Sequence, residues 1–368
     1  MPPITYPAEL ESHWLHLAQA ETHASSDRDA LRRLLPEIRR LADRFTTQRP
    51  DAAAAPYLKD TRACAAYSLF FAPQTHARLA HILTELPPFP DTEKPLRILD
   101  LGAGTGAASW ALLDHLGDRP LALNAWDHSR PALRCLHDLF TALRPARWPQ
   151  AILRTTAAPL DDFAAHAETY DVILMHYVLN ELDPAARRTL LARAARALSP
   201  GGRLLICEPL LREAGDYMRD LRAQALDELG LHLLAPCPHE APCPLGEPCH
   251  DVRTWQLPRS LQILNTTLHR DLRHLAFALL VLTPEPAPAP SHPLRVRVVG
   301  SPSHAKGQSL CLACCPDGQI HRLQILHRDW DARGRKALRH WERGQMLAFH
   351  SITPLGDPSL FRATPAQT

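Results

Sequence analysis

The stretch Leu96-Arg97-Ile98-Leu99-Asp100-Leu101-Gly102-Ala103-Gly104-Thr105-Gly106 constrains this chain more than any other. An apolar run that reads as a buried strand passes through an acidic residue into a glycine turn, and a helical pattern starts near Ala107. Glycine supplies the tight turn, and its missing side chain lets a ligand approach the backbone. The spacing is Asp-x-Gly-x-Gly-x-Gly, whereas the dinucleotide fingerprint is G-x-G-x-x-G, and no basic residue stands where a P-loop needs one. A second apolar run, 121–126, ends in Asp127, where a carboxylate can accept both ribose hydroxyls of an adenosine. Asp100, Gly102, Ala103, Gly104, Gly106 and Asp127 together point to a nucleoside bearing methionine, S-adenosylmethionine, rather than to a pyrophosphate.

The surroundings of this loop set the fold class. Short apolar runs at 96–99, 121–126, 152–155, 172–175 and 203–207 alternate with helical stretches, which predicts a parallel, doubly wound sheet. Further runs at 231–235 and 275–282 supply a sixth and a seventh strand, the element count of an α/β class I methyltransferase domain with a Rossmann-like seven-stranded sheet. In such sheets the ligand lies at the carboxyl ends of the central strands. Asp161, after the third strand, is a candidate for the adenine amine, while Asn180 and Glu181, after the fourth, are candidates to line the acceptor pocket. No catalytic residue can be named. Asn-Pro-Pro-Tyr and Asp-Pro-Pro-Tyr runs are absent, and Cys207 reads as a buried strand cysteine.

Three domains are expected: a helical extension over 1–90, the methyltransferase-like domain over 91–283, and a β-rich appendage over 284–368 beyond a proline-rich connection at 284–293. Strands of the appendage are predicted at 294–299, 309–314, 320–325 and 346–352, around turns such as Pro316-Asp317-Gly318. In the extension, Leu31, Leu34, Leu35, Ile38 and Leu41 share one side of a helix, and Arg32, Arg33, Arg39, Arg40 and Arg44 read as its solvated side. The formal charge is only +2, so bulk electrostatics do not announce a nucleic-acid partner, and charge distribution matters more than the total. No run of apolar residues is long enough for a membrane span and the N-terminus has no signal-peptide layout, so the expected location is cytoplasmic, with neither membrane nor DNA as partner.

The nine cysteines sharpen the reading. Cys237, Cys243 and Cys249 are spaced six apart and interleaved with prolines, in an insertion over 235–250 with little apolar content. Such a loop needs an external organiser. The spacing is wider than the usual C-x₂₋₄-C of zinc sites, whereas iron–sulfur clusters accept varied spacing if four thiolates converge, so a cluster is favoured and zinc comes second. The fourth ligand is not local. Cys311, Cys314 and Cys315 are candidates, and His239 and His250 compete. The C-x₃-C-x₂-C spacing of radical enzymes is absent.

These pieces resemble the Rsm22-type methyltransferase-like family linked to small ribosomal subunits, known from mitochondria and with many bacterial relatives. The matching residues are Leu99 to Gly104, Cys237-Pro238-His239 with Cys243-Pro244-Leu245, Cys249-His250, Lys306-Gly307 with Cys314, and Trp341 to Gly344. The resemblance implies a [4Fe-4S] cluster on Cys237, Cys243, Cys249 and Cys314, a role on the small ribosomal subunit and its rRNA during assembly or translation, and rRNA methyl transfer as the candidate activity. Gln308 stands where the family has His, Pro248 where it has Trp, and Cys315 adjoins Cys314. The competing expectation is a small-molecule S-adenosylmethionine-dependent methyltransferase with a structural zinc.

Overall fold

The computed structural model describes residues 3–46, 57–90, 94–164, 168–210, 214–247, 249–286, 293–357 and 359–365. Most of the proline-rich connection (287–292) and Pro248 therefore lie outside the described residues. The chain divides into two compact units, Met1–Cys207 with Thr254–Leu275, and Glu208–Arg253 with Ala276–Thr368.

The first unit begins with four helices, α1 (Ala8–Thr22), α2 (Asp27–Thr46), α3 (Thr61–Phe70) and α4 (Ala72–Glu85). Along α2, Leu31, Leu34, Ile38 and Leu41 are fully buried while Arg32, Arg33, Arg39 and Arg40 are exposed, so the amphipathic reading holds. Arg32 and Arg33 pair with Asp29, and Arg40 with Glu37, one turn away on the same helix. The α/β part follows as β1 (Leu96–Leu101), α5 (Ala107–Leu116), β2 (Leu121–Asp127), α6 (Arg130–Arg147), β3 (Ala151–Ala157), β4 (Tyr170–His176), α7 (Pro184–Arg196) and β5 (Leu198–Pro209). All four neighbouring pairings, β3–β2, β2–β1, β1–β4 and β4–β5, are parallel. The order β3-β2-β1-β4-β5 reverses direction between β1 and β4, so the switch point where doubly wound sheets bind ligands sits at the end of β1, where the glycine turn begins. Cys207, fully buried in β5, is the strand cysteine expected of it.

In the second unit, α8 (Ala214–Asp227) precedes β6 (His232–Ala235) and β7 (Asp251–Thr254). The chain returns to the first unit for α9 (Arg259–Thr267), then enters β8 (His274–Thr283), which pairs antiparallel with β6. Three strands thus follow the fifth instead of two. The additional one, β7, reads Asp-Val-Arg-Thr and has no apolar run to announce it, because its buried face is made of charges that pair with each other.

The rest of the second unit is β-rich, as expected, but has six strands among the described residues where four were predicted: β9 (Leu294–Val298), β10 (Ser303–Ala305), β11 (Gln308–Cys314), β12 (Ile320–Leu326), then α10 (Ala332–Leu338), β13 (Met346–Pro354) and β14 (Leu360–Pro365). The three-residue β10 and the polar, proline-flanked β14 are too weakly patterned to be read from sequence. Because β9 pairs with both β13 and β11, the sheet closes into a barrel. Its interior is Val296, Val298, Cys311, Ala313, Leu323, Ile325, Leu347, Phe349 and Ala363, the inward members of period-2 strands. Among the described residues no helix is long and apolar enough to cross a membrane.

Candidate functional site

Two chemically distinct sites emerge, one in each unit. The first is the glycine turn. Gly102, Gly104 and Gly106 have φ of 77°, 54° and 87°, a region that side-chain-bearing residues rarely adopt. The three glycines are required for different reasons. A Cβ on Gly102 would stand 2.6 Å from Val178 Cγ2, and one on Gly106 would stand 2.5 Å from the Trp110 indole. A Cβ on Gly104 would meet only Leu58 Cδ1, at 3.7 Å, so the space above Gly104 is open. The turn is pinned to β2, since the Gly102 and Ala103 amides donate to the Trp126 carbonyl at 2.8 and 3.0 Å.

Asp127, at the tip of β2, accepts from the Gly104 amide at 2.8 Å and from the Ser129 amide at 2.7 Å. Burial raises its pKa, against these amide bonds. The His128 amide bonds the same carboxylate, so the tip of β2 is tied to the glycine turn and to the start of α6 through one side chain. Asp100 is buried, and its carboxyl accepts the Ser109 hydroxyl at 2.6 Å, which ties the end of β1 to the first turn of α5. Burial pushes its pKa up to about 7, with Asp127 adding to the effect and the Ser109 bond opposing it.

Aromatic residues from the helical preface join this acidic end of the sheet. The Tyr57 phenol bonds Glu181, and loss of hydration followed by the charge of Glu181 raises its pKa. Tyr67 is raised likewise, by burial and then by Glu181 and Asp127. Tyr57 and Tyr67 pack with Phe45 and Phe71. His176, the last residue of β4, is buried with no hydrogen-bond partner on either ring nitrogen, and burial followed by the charge of Arg78 lowers its pKa to about 3, leaving a neutral imidazole. Asp161 lies in an exposed turn, and its backbone carbonyl accepts from Arg193 at 2.7 Å.

The second site is a cavity in the second unit lined by Cys237, Cys243, Cys249 and Cys314 with Arg222, His239 and Arg297. Cys311 and Cys315 are elsewhere. They lie in the barrel core, while Cys314, one pleat away from Ala313, points out of the barrel toward the loop. Helix α8 holds the cysteine loop by its backbone: Arg222 donates to the carbonyls of His239 and Ala241 at 3.1 and 2.8 Å, and Arg219 to that of Leu245 at 3.0 Å. Glu240 accepts from the Leu233 amide at 2.9 Å, and the Gly318 turn packs against Ala241 and His239 from the barrel side.

Arg297 is the keystone of this cavity. It is 2% exposed, and its guanidinium donates through Nε to Cys249 Sγ at 3.3 Å, to the Gly344 carbonyl at 3.0 Å and to the Asp251 carboxylate. Asp251, itself buried, also accepts Arg253 Nε at 2.8 Å. Gly344 has φ of 94°, and a Cβ there would strike the Asp251 carboxylate at 2.2 Å, so the glycine permits this buried ion pair. His239 Nε2 stands 3.1 Å from Cys314 Sγ. Burial raises the pKa of the Cys237 thiol, with Cys249 adding to the effect, and that of Cys314 to about 12, with Cys237, Cys249 and Cys243 adding to it. Among the described residues no group of three or more His, Cys, Asp or Glu side chains is arranged to hold a metal ion.

Residues 61–346 match the family described as mitochondrial small ribosomal subunit Rsm22. This chain belongs to the Rsm22 family. The match spans the glycine turn, all four cavity cysteines and Gly344. Over 138 residues, 37% of its length, this Rsm22-family chain is 28% identical to the tRNA N(3)-cytidine methyltransferase METTL2 of Xenopus tropicalis, covering 38% of that protein. Over 134 residues, 36% of its length, it is 29% identical to a carboxy-S-adenosyl-L-methionine synthase of Pseudomonas putida, covering 51% of it. The chain thus spans about half or less of the length of these curated relatives. Among solved structures it is similar to the plantazolicin methyltransferase BpumL in complex with SAH, at 16% identity and a TM-score of 0.36, covering 75% of this chain and 97% of that one. It is also similar to the 16S rRNA N2 G1207 methyltransferase RsmC of T. thermophilus, at 20% identity and a TM-score of 0.31, covering 65% of this chain and 46% of that one.

Sequence reasoning missed the groups that surround these sites. Arg297 sits in Leu-Arg-Val-Arg-Val, where period-2 alternation assigns it to solvent; only the cysteine loop folding over that side of β9 buries it. Arg222 looks like any polar residue of an amphipathic helix. Tyr57 and Tyr67 precede the sheet and carry no motif that links them to it.

Proposed function

We propose that this chain is an S-adenosylmethionine-dependent methyltransferase-type protein of the small ribosomal subunit, acting on its rRNA, with a [4Fe-4S] cluster held by Cys237, Cys243, Cys249 and Cys314. The observation that carries the reading is that four thiols from separate stretches of chain line one cavity, while the two remaining barrel cysteines turn away from it. Sulfur donors select soft centres such as zinc and iron–sulfur clusters. A zinc ion asks four donors to stand about 2.3 Å from one centre. A cubane attaches each thiolate to a different iron, which suits sulfurs spread over the walls of a cavity. Buried Arg297 and Arg222 offset thiolate charge, and hydrogen bonds from Arg297 and His239 to sulfur are the kind that set cluster potentials. When bound, the cluster supplies four metal–thiolate bonds that fasten the proline-rich loop to β11.

S-adenosylmethionine supplies a methyl group activated on a sulfonium centre. The open space above Gly104 admits the ligand against the backbone, and the Asp127 carboxylate beside it accepts from the ribose hydroxyls. Asp100 acts indirectly, holding the start of α5 through Ser109. The family assignment and the tRNA-modifying relative favour RNA as the methyl acceptor.

The cluster is tested on anaerobically purified full chain. About four iron and four sulfide per chain, a brown colour and bleaching by Cys243→Ser are expected, and stoichiometric zinc in colourless protein would overturn the assignment. For methyl transfer, tritiated cofactor is incubated with immature small subunits. Label in rRNA is the expected result, and unlabelled particles together with tight cofactor binding would leave a binding factor and no enzyme.

A further inference from the structure

The barrel of the second unit carries an unassigned binding face. Numbering β9, β11, β12, β13 and β14 as strands one to five, the circuit runs 1-2-3-5-4-1, with antiparallel pairings throughout except the parallel contact of strands three and five. Helix α10 lies between strands three and four. This is the Greek-key order of the oligonucleotide- and oligosaccharide-binding barrel, whose ligands lie across strands two and three between the loops joining strands one to two and four to five. Fold alone does not assign a ligand. Two further observations do.

The first is charge. Residues 294–365 contain eleven Lys and Arg against five Asp and Glu, whereas residues 1–293 contain thirty against thirty-four. The small total of +2 therefore hides a strongly basic barrel attached to a slightly acidic remainder. The second is the make-up of the outer face of β11 and β12. Leu312 is 46% exposed, one of two large apolar side chains so exposed among the described residues, and its register partner on β12 is the exposed Arg322. Leu310 faces Gln324 in the next register, and the loop before β11 presents the exposed His304 and Lys306. Asp357, in the other bounding loop, accepts the Ser359 amide and hydroxyl on Oδ1 at 2.8 and 2.7 Å and feels the charge of Arg322, so one carboxylate stands against the Arg and Lys of this face. A basic, partly apolar face suits the phosphates and exposed bases of a single strand, while a neutral oligosaccharide gains nothing from the charge.

We propose that the β11–β12 face of the barrel binds single-stranded RNA, chiefly through its phosphates, using Arg322, Lys306 and the apolar ledge of Leu312. This rests on the ribosomal-RNA reading above and names the surface that makes the contact. No aromatic side chain stands on the outer positions of β11 and β12, so stacking is limited and binding is tolerant of sequence and sensitive to salt.

The test uses the full chain and a fluorescein-labelled single-stranded RNA of about 12 nucleotides, within the site sizes of such barrels, read by anisotropy over a salt series. A blunt RNA duplex is the comparison ligand. The expected result is binding to the single strand in preference to the duplex, and an affinity loss of about tenfold or more in R322E/K306E at low salt. Removing the two contacts by R322A/K306A lowers the slope of log affinity against log salt by about two. Leu312→Ser weakens binding without changing that slope. An unchanged melting temperature shows that the variants fold. The proposal is overturned if the double variants bind as the unaltered chain does, if no single-strand binding appears at low salt, or if charge reversal at Arg39 in α2 abolishes binding equally. Loss of RNA binding without loss of methyl transfer on particles would place the recognition elsewhere and leave the methyltransferase reading standing. Barrel-dependent RNA binding without any methyl transfer would sink the enzyme reading and leave this one.

Discussion

The glycine turn of the first unit and the thiol cavity of the second are candidate sites built in opposite ways. The turn is built from one continuous run of backbone. Its specificity lies in missing side chains, and its neighbours Trp126, Val178 and Trp110 fit around bare glycine. The cavity is built from side chains delivered by α8, the cysteine loop, β9 and β11, with the Gly344 carbonyl holding Arg297. It holds its shape through a buried ion pair, Arg297 with Asp251, which is costly to disturb because breaking one partner leaves a charge without water. A local site can tolerate damage at a distance, whereas an assembled one fails if any one contributor shifts.

The largest effect that would sharpen this contrast is expected at Gly344. Gly344→Ala drives a methyl group into the Asp251 carboxylate and forces alanine to φ of 94°, so the second unit should lose about 3 kcal/mol or more, read by denaturant unfolding. If the variant matches the unaltered chain, the ion pair is not the keystone described here.

Asp100 gives the next effect, of the opposite kind, since it concerns charge buried within the local site. Its folded pKa of about 7 exceeds the ordinary 3.8, so between those values the folded chain binds more protons than the unfolded one and stability falls as pH rises. Below about 4 the contribution is fully present, and above about 7 it is gone. Asp100→Asn should remove that slope, gaining on the order of 2–4 kcal/mol relative to the unaltered chain at pH 8 compared with pH 4. Parallel melting profiles of the two proteins from pH 4 to 8 would contradict a buried, proton-holding Asp100. His176 contributes with the reverse sign, since its depressed pKa of about 3 favours the folded chain at neutral pH and that gain is lost as pH drops through 6.5 toward 3.

A smaller effect on folding separates structural from ligand-binding glycines. Gly104→Ala should cost about 1–2 kcal/mol, from its positive φ alone, yet weaken S-adenosylmethionine binding by about tenfold or more in calorimetry because the methyl group enters the open space. Gly102→Ala should destabilise more, since Val178 is in the way. Equal cofactor affinity in Gly104→Ala and the unaltered chain would remove the cradle from this turn.

The smallest effect is expected on the α2 arginine face. Glu37→Gln removes the partner of Arg40, a pair with one long exposed side chain, and should change stability by less than about 0.5 kcal/mol. A larger loss would mean that this stripe is more than a solvated helix face.

What could be read in advance follows the same division. The strand-turn-helix at Asp100 to Gly106, the parallel order behind it and the amphipathic α2 were legible because each depends on neighbours within a turn or a strand. Strand β7 was not, because its buried charges are paired through the fold rather than by a local apolar pattern, and β10 was not, because its three exposed residues carry no pattern at all. The cysteine spacing favoured a metal centre but could not say which member of the Cys311, Cys314 and Cys315 group turns toward the cysteine loop; that depends on the pleat of β11 and the closure of the barrel.

By itself, the sequence determined the glycine turn, the α/β class and the presence of a sulfur-rich loop, since backbone conformation and binary patterning are encoded by residues close together in the chain. Only the tertiary structure decided that Arg297 is buried against Cys249, that Cys314 parts company with its two neighbours, and that the β-rich segment closes into a basic barrel. These outcomes rest on which faces of distant strands are covered, and coverage is a property of the assembled fold.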